Sequence, residues 1–194
     1  DVGINNLAVT SDRKFYGKGI KQLRIKHDKL VSRLQAKGTK SAKRHLKKLS
    51  GRWTRFMAWT NHNISKRIVE SVPAGTTIVM EDLINIRRGK AKHNKWVHKW
   101  AFRQLQSFIE YKALAKGIRV VYVNPRYTSK SCSVCHNNET IRHSGFVECK
   151  ICGHKSDSDY SASKNIAQLY IRNMCSAIVN RHVGLASDDA ILNV

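Results

Sequence analysis

Acidic residues are scarce in this sequence. Thirteen Asp and Glu stand against 36 Lys and Arg, a formal net charge of +23, and such a chain repels itself unless a polyanion lies nearby. No run of 18 or more apolar residues occurs, which excludes a hydrophobic helical span. The N-terminus lacks the basic, apolar and small-residue pattern of a secretory signal. The expected location is therefore intracellular, with no membrane partner. No Ser-His-Asp constellation and no phosphate-binding glycine loop stands out, "GKGIK" being too short for one. Cysteine is limited to five residues, four of them in Cys-x-x-Cys pairs, which suits metal ligation better than a disulfide framework where thiols stay reduced.

What is present is enough for one core with a small satellite module: 194 residues, 41% hydrophobic, with four Trp. The cationic excess makes nucleic acid the first candidate partner, because each phosphate neutralised releases condensed counterions. Ribosomal, chromatin and membrane-surface proteins share that charge, so it defines a partner class and no activity.

The opening "DVGINNLAVTSDRKFYGKG" alternates short β-prone segments (Leu7, Val9; Phe15, Tyr16) around a polar "SDRK" turn and predicts a β-hairpin. Two helical patterns follow, Ile20 to Leu34 and Leu46 to Ile68, split by a basic loop "AKGTKSAK". In the second, Trp53, Phe56, Met57 and Trp59 are core by default, while Lys43, Arg44, Lys47 and Lys48 form a solvated or RNA-facing stripe. After the Pro73-Ala74-Gly75 break, "TTIVM" predicts a buried strand ending at Glu81 and Asp82. A basic loop, a helix carrying Leu105, Phe108 and Ile109, and the strand "GIRVVYVN" complete a strand-helix-strand unit. That order implies a parallel pair within a mixed sheet flanked by helices, an α/β fold. A last helix is predicted from Ala162 to about Val179, with Cys175 a buried thiol and the tail from Gly184 weakly ordered.

Cys132-Ser-Val-Cys135 and Cys149-Lys-Ile-Cys152 stand thirteen residues apart. The two-residue gap lets both sulfurs of a hook reach one ion, and two hooks close a tetrahedral site of four thiolates, the donor set of structural zinc. His136 and His154 are adjacent alternative ligands, but four thiolates suffice. A redox reading of either pair is weaker, since two hooks at this spacing seldom serve that purpose.

The few acids stand at informative places. Asp1 precedes the hairpin, Glu81 ends a buried strand, and Asp157 and Asp159 precede a helix. Three such carboxylates brought together would hold hard divalent cations. Ion pairing with the abundant Lys and Arg, or helix capping, accounts for the same residues without any chemistry. Spacing alone leaves both readings open.

Four stretches, "DVGINNLAV", "TTIVMEDL", "YKALAKGIRVVYVNPRYTSKSCSVC" and "CKICGHKSDSDYSASKNIA", occur in an order that closely resembles the C-terminal half of the TnpB (OrfB) family of transposon-encoded proteins. That family is related to the type V CRISPR effectors, and the resemblance covers essentially the whole chain. It implies an RNase H-like (RuvC) fold with an inserted four-cysteine zinc ribbon: core residues 1–127, ribbon 128–156, and core again over 157–194. It also implies a catalytic triad of Asp1, Glu81 and Asp159 holding Mg2+ or Mn2+, DNA as substrate, and a guide RNA as partner. The setting it implies is prokaryotic, cytoplasmic and nucleoid-associated.

The last family motif matches Asp159 rather than Asp157, with Ser161 replacing the usual Asn and Ser163 the usual Ala. Absence of the family's upstream region implies that the chain is a piece of a longer protein. Arg126, Tyr127, Thr128 and Lys130, between the last strand and the first hook, are candidate nucleic-acid contacts, with a solvated loop as the plain alternative. Lys95 and Trp96 are candidates for stacking and phosphate contact; Trp100 serves stacking or core packing equally well. A non-cleaving nucleic-acid-binding or regulatory zinc-ribbon module is the rival to the nuclease.

Overall fold

In the computed structural model, which describes residues 1–83 and 101–188, the chain opens with a hairpin of two short strands, β1 (Ala8–Val9) and β2 (Phe15–Tyr16), paired antiparallel. Gly17 follows at φ +73°, and a Cβ there would lie 2.6 Å from Leu7 Cγ, so glycine alone fits against this buried leucine. Two helices come next, α1 (Ile20–Lys37) and α2 (Lys40–Glu70). The connection is only Gly38 and Thr39, shorter than the basic loop the sequence predicts. Gly38 ends α1 in the left-handed region, and the Thr39 hydroxyl accepts from Ala42 N at 3.2 Å to start α2. The intervening lysines and alanines are good helix formers and join the helices.

Helix α2 buries Met57, Ile64, Ile68 and Val69, at the spacing of one apolar stripe. Trp53 and Phe56 are half-buried, but Trp59 is 66% exposed and does not belong to the core. Two residues past Met57, it has turned about 200° round the helix axis.

β3 (Thr77–Glu81) and β4 (Arg119–Val123) pair in parallel, Thr77 opposite Arg119 and Glu81 opposite Val123. Helix α3 (Phe102–Ala115) lies between them in sequence, as a parallel pair requires. It ends in a Schellman turn: Gly117 at φ +67°, Gly117 N bonded to Leu114 O and Ile118 N to Ala113 O at 2.9 Å. Lys116 Nζ donates to the carbonyls of Val69 at 3.0 Å and Val72 at 2.7 Å, placing a cation at the negative end of α2. Leu7, Tyr16, Met57, Ile64, Ile68, Met80, Leu105, Ile109 and Ile118 pack into one core.

The chain divides into two compact units, Asp1–Asn124 and Pro125–Val194. In the second, β5 (Thr140–His143), β6 (Phe146–Cys149) and β7 (Lys155–Asp157) form an antiparallel ribbon. Its first turn, Ser144-Gly145, has positive φ at both residues, the tight hairpin geometry that matches strand twist. Helix α4 (Ser158–Asp188) follows directly. It starts four residues before the predicted Ala162 and extends past the predicted end near Val179. Cys175 is exposed, not buried. Nine residues beyond the buried Ile166, it has turned to the opposite face of the helix. Among the described residues the strands fall into three small sheets, β1–β2, β3–β4 and β5–β6–β7, rather than one mixed sheet.

Candidate metal centre and acidic residues

The two hooks converge. Among the described residues, Cys132, Cys135, Cys149 and Cys152 are the group of metal-capable side chains that lie together, all four sulfurs within 4.8 Å of one another. Cys132 and Cys152 sulfurs are 3.7 Å apart, Cys135 and Cys149 sulfurs 3.5 Å. Four thiolates at about 2.3 Å from one tetrahedral zinc place their sulfurs about 3.8 Å apart, so the donors and the spacing fit that ion.

Each hook is a tight turn. His136 N donates to Cys132 O and Gly153 N to Cys149 O, both at 3.0 Å, while Val134 N points at the Cys132 sulfur at 3.5 Å. The hydrogen bond at Asn137 pulls the Cys135 thiol down, but loss of hydration and three neighbouring sulfurs push it up to about 12. Backbone bonding at Cys152 and Ile151 lowers Cys149 to about 7 despite its desolvation, with hydrogen bonds from Cys135 and Cys152 adding to the effect. A metal cation at the centre of the four sulfurs would favour the thiolate form of each.

The ribbon is fastened to the helix behind it. Asn165 of α4 donates through Nδ2 to Thr128 O at 2.8 Å and Ser131 O at 2.7 Å, and Gln168 Nε2 donates to Ser133 O at 3.3 Å. At the other end, Ser158 N donates to Gly145 O at 2.8 Å. The Asp157 carboxylate accepts from Asp159 N at 2.9 Å and Tyr160 N at 3.0 Å, capping α4. This explains why the helix begins early, and it makes Asp157 the residue that fixes the backbone of Asp159. An aspartate just before the helical run is the sequence signal of this cap.

Glu81 ends β3 and is 8% exposed; Gln106 Nε2 donates to its main-chain carbonyl at 2.7 Å. Asp1 exchanges two backbone hydrogen bonds with Val9, at 2.9 and 3.0 Å, beside the hairpin. Both belong to the first unit and Asp159 to the second. Gln106 was not singled out from sequence, since a glutamine within an apolar helical stripe reads as a surface residue. Among the other candidates, Thr128 is buried, its hydroxyl donating to Pro125 O at 2.9 Å. The Arg126 guanidinium stacks 5.0 Å over the exposed Tyr127 ring, and Lys130 is exposed. Lys95, Trp96 and Trp100 lie outside the described residues.

A parallel strand pair with an acid at its end, followed by a four-cysteine ribbon and a capped helix, defines a mixed α/β protein of ribbon-bearing type. Residues 102–166 match the family described as Cas12f1-like, TNB domain. Over 126 residues the chain is 36% identical to a "CRISPR-associated endodeoxyribonuclease Cas12f1" of Sulfoacidibacillus thermotolerans, covering 63% of this chain and 29% of that protein. Over 146 residues it is 36% identical to the "TnpB-like protein MJ0751" of Methanocaldococcus jannaschii, covering 73% of this chain and 52% of that one. A solved "CRISPR-Cas12f Ternary Complex" superposes with a TM-score of 0.61 at 23% identity, over 86% of this chain and 37% of the other, and shares the fold. Over these stretches the chain is similar to TnpB-like proteins and to Cas12f-type effectors. It spans about half of one of these two relatives and under a third of the other. Among the described residues no helix is long and apolar enough to cross a membrane.

Proposed function

We propose that the chain is the nuclease portion of a TnpB-class, RNA-guided DNA endonuclease, with an RNase H-like core over 1–127 and 157–194 and a zinc ribbon over 128–156. The observation that carries this reading is the 36% identity to a protein named as an endodeoxyribonuclease, joined to acids placed at ordered element ends: Glu81 closing β3 and Asp159 in the first turn of α4.

Asp1, Glu81 and Asp159 supply hard carboxylate oxygens, the donors that suit Mg2+ or Mn2+. Ions held by these three carboxylates would supply Lewis-acid stabilisation of the charge that develops when water displaces an oxygen at a phosphodiester. The residues' own part is to hold that charge in place. Glu81 is fixed at a strand end by Gln106, and Asp159 by the Asp157 cap. The cationic excess of the chain gathers the polyanion, and Arg126, Tyr127, Thr128, Lys130, Lys95 and Trp96 are its proposed contacts. The four thiolates leave zinc no open position, so zinc is structural and takes no part in hydrolysis. DNA and a guide RNA are the proposed partners, in a prokaryotic cytoplasm.

The test is a magnesium titration with labelled single-stranded DNA and protein carrying its copurified RNA, zinc being held constant. Cleavage that rises from zero with magnesium supports the reading. Cleavage independent of added divalent metal contradicts it.

A further inference from the structure

The four cysteines of the ribbon differ in what can reach them. Cys135 and Cys152 are exposed, whereas Cys132 and Cys149 are each 2% exposed. In both hooks, therefore, the first cysteine is inner and the second outer. Close approaches run between the hooks, with the sulfurs of Cys135 and Cys149 3.5 Å apart and those of Cys132 and Cys152 3.7 Å apart. Each outer sulfur thus faces an inner sulfur of the other hook.

That pairing is the one a thiol oxidation needs. An oxidant in solution meets the outer sulfur, and a second sulfur stands close enough to complete a disulfide. Cations nearby favour the reactive thiolate form: Lys150 lies two residues before Cys152, and Arg172 shares a pocket with His136, the neighbour of Cys135. The chemistry belongs to the four sulfurs together and not to either Cys-x-x-Cys pair alone.

We propose that the ribbon is a peroxide-sensitive switch, in which hydrogen peroxide converts the four zinc-binding thiolates into two disulfides that cross between the hooks, Cys135 to Cys149 and Cys132 to Cys152. The outer thiolate attacks one peroxide oxygen, the O–O bond breaks and hydroxide leaves, which gives a sulfenic acid. The inner thiolate then attacks that sulfur, the S–O bond breaks, and a second hydroxide leaves as the disulfide forms. Two thiolates lose two electrons and one peroxide gains them, so four sulfurs consume two peroxides. Loss of the thiolate donors releases the ion.

Closure reaches beyond the sulfurs. The separations must fall from 3.5 and 3.7 Å to about 2.0 Å, which draws the hooks together. Asn165 and Gln168 of α4 hold the carbonyls of Ser131 and Ser133, on either side of Cys132, so the movement is passed to that helix. Redox control of strand cleavage, through the Asp159 turn of α4, rests on the nuclease reading; the disulfide switch does not.

The experiment treats the zinc-loaded chain with hydrogen peroxide at neutral pH, without DNA, and follows zinc with a chromophoric chelator. Free thiols are then alkylated. Trypsin cuts after Lys130, Arg142, Lys150 and Lys155, so that Cys149 and Cys152 fall on separate peptides while Cys132 and Cys135 share a third. The expected result is release of about one zinc per chain, a mass lower by four hydrogens, and all three peptides joined. Fragmentation between Cys132 and Cys135 assigns the two bonds. A thiol reductant with added zinc should restore the starting form. Cys175→Ser, which removes the exposed cysteine outside the ribbon, should leave the release unchanged.

A first-hook peptide recovered apart from the other two would overturn the proposal, as would a bond from Cys132 to Cys149. Zinc retained through excess peroxide, oxygen added to the sulfurs without a disulfide, or loss of the release in C175S would each overturn it too. If the switch runs as expected in a chain that cleaves no DNA, the nuclease reading fails and the switch stands.

Discussion

The side-chain amide of Gln106 donates to the main-chain carbonyl of Glu81 at 2.7 Å, and the two residues are 1% and 8% exposed. One buried bond thus ties the end of β3 to α3 at the residue proposed to bind metal. Gln106→Leu keeps the approximate volume and deletes the donor. It should destabilise the chain by about 1–3 kcal/mol, read as a lower urea midpoint at unchanged slope.

Asp157 holds the first turn of α4 by accepting from Asp159 N and Tyr160 N. Asp157→Ala should cost about 1 kcal/mol, whereas Asp157→Asn should cost a few tenths, since asparagine caps nearly as well. Thermal melts of the two variants decide it. Equal losses would mean that charge, not the cap, is what matters at this position.

Gly17→Ala introduces two penalties at once. The backbone stands at φ +73°, and the new methyl would meet Leu7 side-chain carbons at 2.6 to 2.9 Å. Left-handed strain alone costs about 1–2 kcal/mol, and relief of the clash must shift a core leucine, so a total loss above about 2 kcal/mol is expected. Gly75→Ala, also at positive φ but with open space around it, should show the strain alone. Denaturant titration of the pair separates the two terms.

The ribbon should depend on its ion. Zinc binding by four thiolates is worth on the order of 10 kcal/mol to small modules of this kind. Cys149→Ser, which removes one buried sulfur, should release zinc and loosen residues 128–157 while leaving the first unit folded. Hydrogen exchange localises the loss, and zinc analysis should fall from one ion per chain to well under one.

Much of this arrangement was legible in the sequence, for physical reasons. The β-branched run Thr77–Glu81 and the run Arg119–Val123 carry their own strand signal, with a helix between them that leaves a parallel pair as the natural outcome. The cysteine hooks announce a shared ion through their two-residue gaps, and their sulfurs do converge. Less legible were features that depend on single side chains reaching the backbone. Thr39 shortens the loop between α1 and α2, and Asp157 advances the start of α4, each by one capping bond. Trp59 and Cys175 fit a loose apolar pattern but lie on outward faces, because helical angle and not hydrophobicity decides their burial. Gln106, and the amides of Asn165 and Gln168 that hold the first hook, have no sequence signature, since an amide in a helix looks the same whether it serves a carbonyl or water.

The most direct measurement of the central claim is strand cleavage by Glu81→Ala, in protein carrying its RNA, with DNA binding followed in parallel. Loss of the carboxylate should bring cleavage to the detection floor while DNA affinity stays within about twofold, because phosphate contacts by Lys and Arg, not Glu81, set that affinity. Cleavage by the variant at the parent rate would contradict the account.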